Sequence, residues 1–128
     1  MIIGIGTDLV LVSRIEAVLG RQGERFAERI LTPAELQRFR AHSQPARYLA
    51  KRYAAKEAIL KALGTGLAKG MSWQHMQIDN DALGAPCVVL SGVALQRLQQ
   101  GGGGRMLLSI SDEREQALAF ALWSVGNA

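Results

Sequence analysis

An α+β fold is what this sequence predicts, and three observations carry the prediction. Helix-patterned segments crowd the first half of the chain. Short β-branched runs separated by turn residues fill the second half, and one Ile/Val/Leu-rich strand precedes both. With 128 residues, 48% of them hydrophobic, the chain is expected to form one domain over 1–128 around one core. A long central helix packed on antiparallel sheet is the expected architecture.

The elements follow in order. Ile2 to Val12 reads as a strand interrupted by Gly4 and Gly6. Ser13 is a candidate N-cap for a helix carrying Ile15, Val18 and Leu19 on one side, with Gly20 to Gly23 loosening its end. Phe26, Ile30 and Leu31 suggest another turn or two of helix. Thr32-Pro33-Ala34-Glu35 is a capping box with proline at the first helical position, so a helix starts there and fades near Ser43. Pro45 opens the longest helix, which runs through Leu63 to a stop at Gly64. Met76 to Asp79 and Cys87 to Leu90 read as a hairpin joined across Asn80 to Pro86. Ser91 is a candidate cap for a helix through Gln100, ended by Gly101 to Gly104. Met106 to Ile110 and Leu118 to Val125 are the last strands, joined by the acidic turn Asp112-Glu113-Arg114-Glu115.

Composition excludes collagen-like, disulfide-scaffold and disordered classes. The single Cys87 cannot form an intrachain disulfide, which fits a reducing compartment. No apolar run approaches the roughly 20 residues of a membrane span, and the start does not read as a signal peptide, so a soluble cytoplasmic protein is expected. The formal charge of +4 is uneven: Arg14 to Lys69 holds 12 basic residues against 5 acidic, and the rest holds 3 against 6. That field suits an anionic partner, whether nucleic acid, an acidic protein or a phosphorylated small molecule.

The long helix is the most informative element. Leu49, Tyr53, Lys56, Leu60 and Leu63 share one side and read as core. Another face carries Arg47, Ala50, Ala54, Glu57, Ala58 and Lys61, where small alanines leave room for something to lie against the backbone. The ordinary reading of that face is a solvated Glu57–Lys61 pair four residues apart. Gly64-Thr65-Gly66 is at least a helix stop; its backbone N–H groups beside Lys61 can also hold phosphate oxygens. No P-loop or dinucleotide fingerprint is present. Asp8 is either a strand-end residue or, with Glu57, one of two hard oxygen ligands of the kind Mg²⁺ takes alongside water and phosphate. His42, His75 and Cys87 have no zinc spacing. Arg14, Arg21 and Arg25 line one side of the first helix if it continues, as a solvated face or a dock for an acidic helix.

Together these residues resemble one family, the holo-acyl-carrier-protein synthases, which are short 4′-phosphopantetheinyl transferases. The matching motifs are Gly4-Ile5-Gly6-Thr7-Asp8-Leu9-Val10, Arg25-Phe26-Ala27-Glu28-Arg29-Ile30-Leu31-Thr32 and Leu49-Ala50-Lys51-Arg52-Tyr53-Ala54-Ala55-Lys56-Glu57-Ala58. The last continues into Lys61-Ala62-Leu63-Gly64-Thr65-Gly66, and Asn80-Asp81 with Gly84 and Pro86, then Leu108-Ser109-Ile110-Ser111, follow in order.

The resemblance implies transfer of phosphopantetheine from coenzyme A to a serine of an apo-acyl carrier protein of fatty-acid synthesis, with release of adenosine 3′,5′-bisphosphate. It implies Mg²⁺ on Asp8 and Glu57, with Lys61 on the pyrophosphate and the serine proton going to Glu57 or a metal-bound water. It assigns Arg52 to the 3′-phosphate, Gly84 and Pro86 to the adenine region, and Arg14, Arg21 and Arg25 to the carrier. Arg52 stands about 140° from Glu57 around the helix, and the family's trimer with interfacial active sites resolves that separation. One departure is Asp112, which stands where many members have histidine and would repel the 3′-phosphate, so that either other cations hold that phosphate or this loop turns away. A carrier of polyketide or peptide assembly is the nearest alternative substrate. A small basic nucleic-acid-binding module is the alternative class, but aromatics for base stacking are only 5% of the chain, and no nucleic-acid or membrane partner is expected.

Overall fold

The computed structural model describes residues 1–126, so the last two positions of the domain expected over 1–128 lie outside the described residues. The element order is β1 (Ile2–Leu11), α1 (Val12–Gln22), α2 (Glu24–Ile30), α3 (Pro33–Ala41) and α4 (Pro45–Leu63). A short 3₁₀ turn (Trp73–His75), β2 (Met76–Asn80), β3 (Pro86–Leu90), α5 (Gly92–Gln100), β4 (Arg105–Asp112) and β5 (Gln116–Ser124) follow. An antiparallel sheet of order β1-β5-β4 and the β2–β3 hairpin complete the expected α+β architecture.

The longest helix begins and ends where its proline and glycine direct. Pro45 occupies the first turn of α4, and Gly64 closes it in the left-handed conformation at φ 79°, donating its N–H to Leu60 and Lys61. The capping box of α3 forms in both directions between Thr32 and Glu35. Ser13, by contrast, is not the cap of α1. The strand runs directly into the helix at Val12, with Leu11 at the cap position and the Val12 N–H donating to Glu115 O across the β4–β5 turn, so Ser13 already lies inside the first turn. Ser91 stands at the cap position of α5 without a side-chain cap bond. Gly23, at φ 61°, separates α1 from α2 and so puts Arg25 on a different helix from Arg14 and Arg21.

Gly4 and Gly6 do not end β1, whose pairing with β5 slips only between Ile2 and Gly4; they let it touch α4. A Cβ on Gly6 would overlap the Ala58 carbonyl oxygen and stand 2.8 Å from Lys61 Cβ, and one on Gly4 would overlap the Ala62 carbonyl oxygen. The alanines of α4 meet that approach: Ala50, Ala54 and Ala58 are fully buried against the sheet. The room they leave is therefore filled by β1 and β5 rather than by a ligand. Strand β5 contributes Ala117, Ala119, Ala121 and Trp123 to the same layer and turns Leu118 and Phe120 to the opposite face.

Gly6→Ala is expected to lose roughly 3 kcal/mol or more in chemical denaturation, because neither backbone can yield. Gly20→Ala, inside α1 with nothing within 4 Å of the added methyl, is expected to gain about 0.5–1 kcal/mol in the same experiment.

Candidate active site

The close approach of β1 to α4 sets the first contact of the site. Asp8 follows Gly6 on the helix-facing side of the strand, and its Oδ1 accepts from Lys61 Nζ at 3.2 Å. The same ammonium donates to Thr7 O at 2.7 Å. Lys61 thus pairs with the strand carboxylate and not with Glu57, contrary to the ordinary reading of their four-residue spacing. Glu57, one turn earlier on α4, accepts instead from the indole Nε1–H of Trp73 at 3.1 Å.

Asp8, Glu57 and Tyr53 face one cavity of about 320 Å³, closed by Arg14 and Val18 of α1 and by Phe26 of α2. Burial first, then the negative charge of Glu57 and Asp8, hold the Tyr53 phenol above its usual value, so it stays protonated as a donor. Lys61 and Trp73 each engage one oxygen of their carboxylate, leaving each residue a second oxygen for a cation. Among the described residues no three His, Cys, Asp or Glu side chains converge. A pair of hard oxygen donors beside open space fits Mg²⁺, which completes its shell with water and phosphate, and does not fit zinc.

Arg52 lies elsewhere. It is 5% exposed, and its guanidinium stacks over Tyr48 at 4.8 Å and donates to Asn80 Oδ1 at 3.2 Å. Asn80 Nδ2 donates in turn to Gly84 O at 3.0 Å, so one hydrogen-bonded chain joins Arg52 to the tip of the β2–β3 hairpin. A second cavity of about 370 Å³ gathers Arg52 with Arg38, Arg47, Lys51 and Tyr48. The Tyr48 hydroxyl and Arg52 Nε are buried there without a hydrogen-bond partner. Asp112 is not a bare repelling charge: it pairs with Arg47 at 3.0 Å and Lys51 at 3.7 Å, and Arg47 also donates to the carbonyls of Glu113 and Arg114.

The remaining expected residues scatter. Gly64, Thr65 and Gly66 follow α4 one turn beyond Lys61, with both glycines at positive φ. Pro86 borders a third groove of about 470 Å³ between β3, β4 and α5. Arg14 reaches the carboxylate cavity, whereas Arg21 and Arg25 stand exposed beyond it. Sequence reasoning missed Trp73 as a partner of Glu57 and missed the Arg38–Arg47–Lys51 cluster; only the four-residue spacing of Arg47 and Lys51 signalled the latter. Phe26, Tyr53 and Trp73 stack on one another at 5.7 and 6.0 Å, so these aromatics are engaged in packing rather than offered as platforms for bases.

The model of the 4′-phosphopantetheinyl transferase superfamily matches residues 4–121. A holo-[acyl-carrier-protein] synthase of Shewanella amazonensis is 53% identical over 121 residues, covering 94% of this chain and 97% of that one. The crystal structure of the Neisseria meningitidis holo-[acyl-carrier-protein] synthase superposes with a TM-score of 0.91 at 44% identity, over 97% of this chain and 99% of that one. The Bacillus anthracis synthase in complex with CoA (3′,5′-ADP) gives 0.81 at 34% identity, over 98% of this chain and 99% of that one.

Burial raises both tyrosines of the chain, Tyr48 and Tyr53. A raised folded value means that their contribution to stability is whole below about pH 10 and is lost as pH rises through the folded values. Ultraviolet difference titration is expected to show both phenols ionising at higher pH in the folded protein than in the urea-unfolded chain. Ordinary titration of both in the folded state would contradict this burial.

Proposed function

The chain belongs to the 4′-phosphopantetheinyl transferase superfamily, and from that premise we propose that it is a holo-[acyl-carrier-protein] synthase. It transfers the 4′-phosphopantetheine group of coenzyme A to a serine of an apo-acyl carrier protein. The observation that carries the reading is the convergence of Asp8 and Glu57 on one cavity lined by Arg14, with Lys61 bonded to Asp8. In the reaction a bond forms between the serine oxygen and the β-phosphorus. The bond to the bridging oxygen breaks, adenosine 3′,5′-bisphosphate leaves, and the serine proton passes to Glu57 or to solvent.

Asp8 and Glu57 hold Mg²⁺ in this proposal, and the ion, when bound, neutralises charge on the pyrophosphate. Lys61 orients Asp8 and keeps one of its three N–H donors for a phosphate oxygen. The Gly66 N–H extends that anion site, whereas those of Gly64 and Thr65 are taken by the Leu60 and Lys61 carbonyls, so these two residues shape the loop instead of donating. Arg52, with Arg38, Arg47 and Lys51, receives the 3′-phosphate, and Gly84 and Pro86 border the adenine. Arg14, Arg21 and Arg25 meet the acidic carrier. The carrier is that of fatty-acid synthesis and the compartment the cytoplasm, which the lone free Cys87 favours. No helix among the described residues is long and apolar enough to cross a membrane.

The domain over 1–128 acts as a homotrimer. Ile5, Leu9, Leu118 and Phe120 are 60%, 59%, 45% and 41% exposed on the outer face of the three-stranded sheet. A contiguous apolar face of this kind marks an interface. Arg52 and Glu57 open into separate cavities of one chain, and an interface that joins the cavities of neighbouring copies lets both serve one coenzyme A.

Incubation with coenzyme A, Mg²⁺ and an apo carrier is expected to add one phosphopantetheine, read by mass spectrometry of the carrier. Asp8→Ala and Glu57→Ala are expected to lose turnover by at least 100-fold while staying folded, on the scale of lost transition-state charge stabilisation. No adduct with the native chain under any Mg²⁺ condition would sink the assignment. Phe120→Glu is expected to turn a trimer into a monomer in light scattering, with circular dichroism unchanged; a monomeric native protein at micromolar concentration would remove the trimer.

A further inference from the structure

Glu57 is one of two carboxylates facing the cavity, and its orientation is set from outside its own helix. A glutamate has three side-chain torsions, and ordering them costs entropy unless a partner holds the group beforehand. The partner here is Trp73, whose Nε1–H reaches Glu57 Oε1 at 3.1 Å. Trp73 is itself fixed at both ends. Its carbonyl accepts from Lys56 Nζ at 3.2 Å, and its ring packs on Tyr53 at 6.0 Å. Ser72 Oγ caps the turn by accepting from Gln74 N–H, and the Gln74 amide donates to Glu28 O and Leu31 O. Lys56 in turn sits on Glu35 at 2.6 Å and on Ile30 O at 2.6 Å, and neither Lys56 nor Glu35 has any exposure.

We propose that Trp73 is a positioning residue for the cation site. Its indole N–H holds one oxygen of Glu57 so that the other is presented to the divalent cation, and the buried Glu35–Lys56 pair keeps Trp73 in place. The proposal rests on the reading of Asp8 and Glu57 as cation ligands. A carboxylate ligand fixed by a hydrogen-bond donor behind it binds metal more tightly than a free one, and loss of such a donor typically weakens binding by about 10–100-fold. Burial alone also asks that an indole N–H find a partner, so the test has to separate orientation from packing.

Trp73→Phe keeps an aromatic ring against Tyr53 and removes the donor together with the pyrrole half of the indole. Mn²⁺, visible by electron paramagnetic resonance, is titrated into protein with coenzyme A bound. The variant is expected to bind it roughly 10-fold more weakly, and the Mg²⁺ concentration for half-maximal turnover is expected to rise in parallel. The KM for the carrier is expected to match the native protein, and the circular dichroism spectrum to stay that of the folded chain. Mn²⁺ binding within twofold of native would overturn the positioning role while leaving the cation reading intact. Absence of Mn²⁺ binding by the native protein, with Glu57→Ala indistinguishable from it, would overturn both. Nuclear magnetic resonance of the native protein keeps the test open should the variant misfold. Mg²⁺ added to the coenzyme A complex is expected to move the Trp73 indole N–H resonance and to leave that of Trp123, bonded to Gly103 O, in place; an unmoved Trp73 resonance would refute the proposal.

Discussion

The rest of the molecule hangs on one buried contact, the Glu35–Lys56 pair. Both side chains are fully removed from solvent and meet at 2.6 Å. Burial pushes the Lys56 ammonium below the usual lysine range, and the charge and hydrogen bond of Glu35 oppose that shift. Isolated, either charge would be intolerable in such a place. Together they are satisfied because each spends its remaining valences on backbone. Glu35 accepts from Thr32 N–H and Ile78 N–H, and Lys56 donates to Ile30 O and Trp73 O. One ion pair therefore ties α2, α3, α4, β2 and the 3₁₀ turn together. Removing one partner of such a pair costs about 3–5 kcal/mol, because it strands the other.

From that anchor α4 presents three faces with three tasks. Its alanine face receives β1 through Gly4 and Gly6, and this brings Asp8 to Lys61. A second face carries Glu57 to Trp73 and the cavity shared with α1. A third carries Arg52 to Asn80 and the hairpin, beside the cation cluster. Since one rigid helix sets the spacing of all three, carboxylates and cations stay far enough apart within a chain not to quench one another. On α4 it is Lys61 that reaches the carboxylate side, its side chain 54% exposed, and Arg14 of α1 joins it there.

Much of this was legible in local grammar. Pro45, Gly64 and the Thr32–Glu35 box fixed two helices because caps act through neighbouring residues. Asp8, Glu57 and Lys61 could be nominated by residue type, although their true pairing could not. The Lys61–Asp8 bond spans 53 positions and exists only because a glycine strand lies on an alanine helix. The same contact explains why alanines that looked like space for a ligand are packed against strand. Ser13 misled because Val12 N–H finds its acceptor 103 positions away. Trp73 was invisible for a related reason: it follows a loop with no periodicity, and nothing in its own neighbourhood points at Glu57. Glu35 was readable as a cap but not as the acceptor for Lys56, since one carboxylate does both.

The uneven charge of the chain also takes a definite form. Arg38, Arg47, Lys51 and Arg52 bring four positive charges to one cavity, and Asp112 brings one negative charge to its edge. An aspartate alone would repel a phosphate, but this one is bonded to two of the cations and carries Arg47 across to the Glu113 and Arg114 carbonyls. Its charge is thereby spent on holding the arginine and lysine in place, just as Asp79 holds Arg38 at 3.1 Å and Glu35 stands 3.8 Å from Arg52. The carboxylate at the β4–β5 turn thus organises the anion site of the proposed function instead of opposing it.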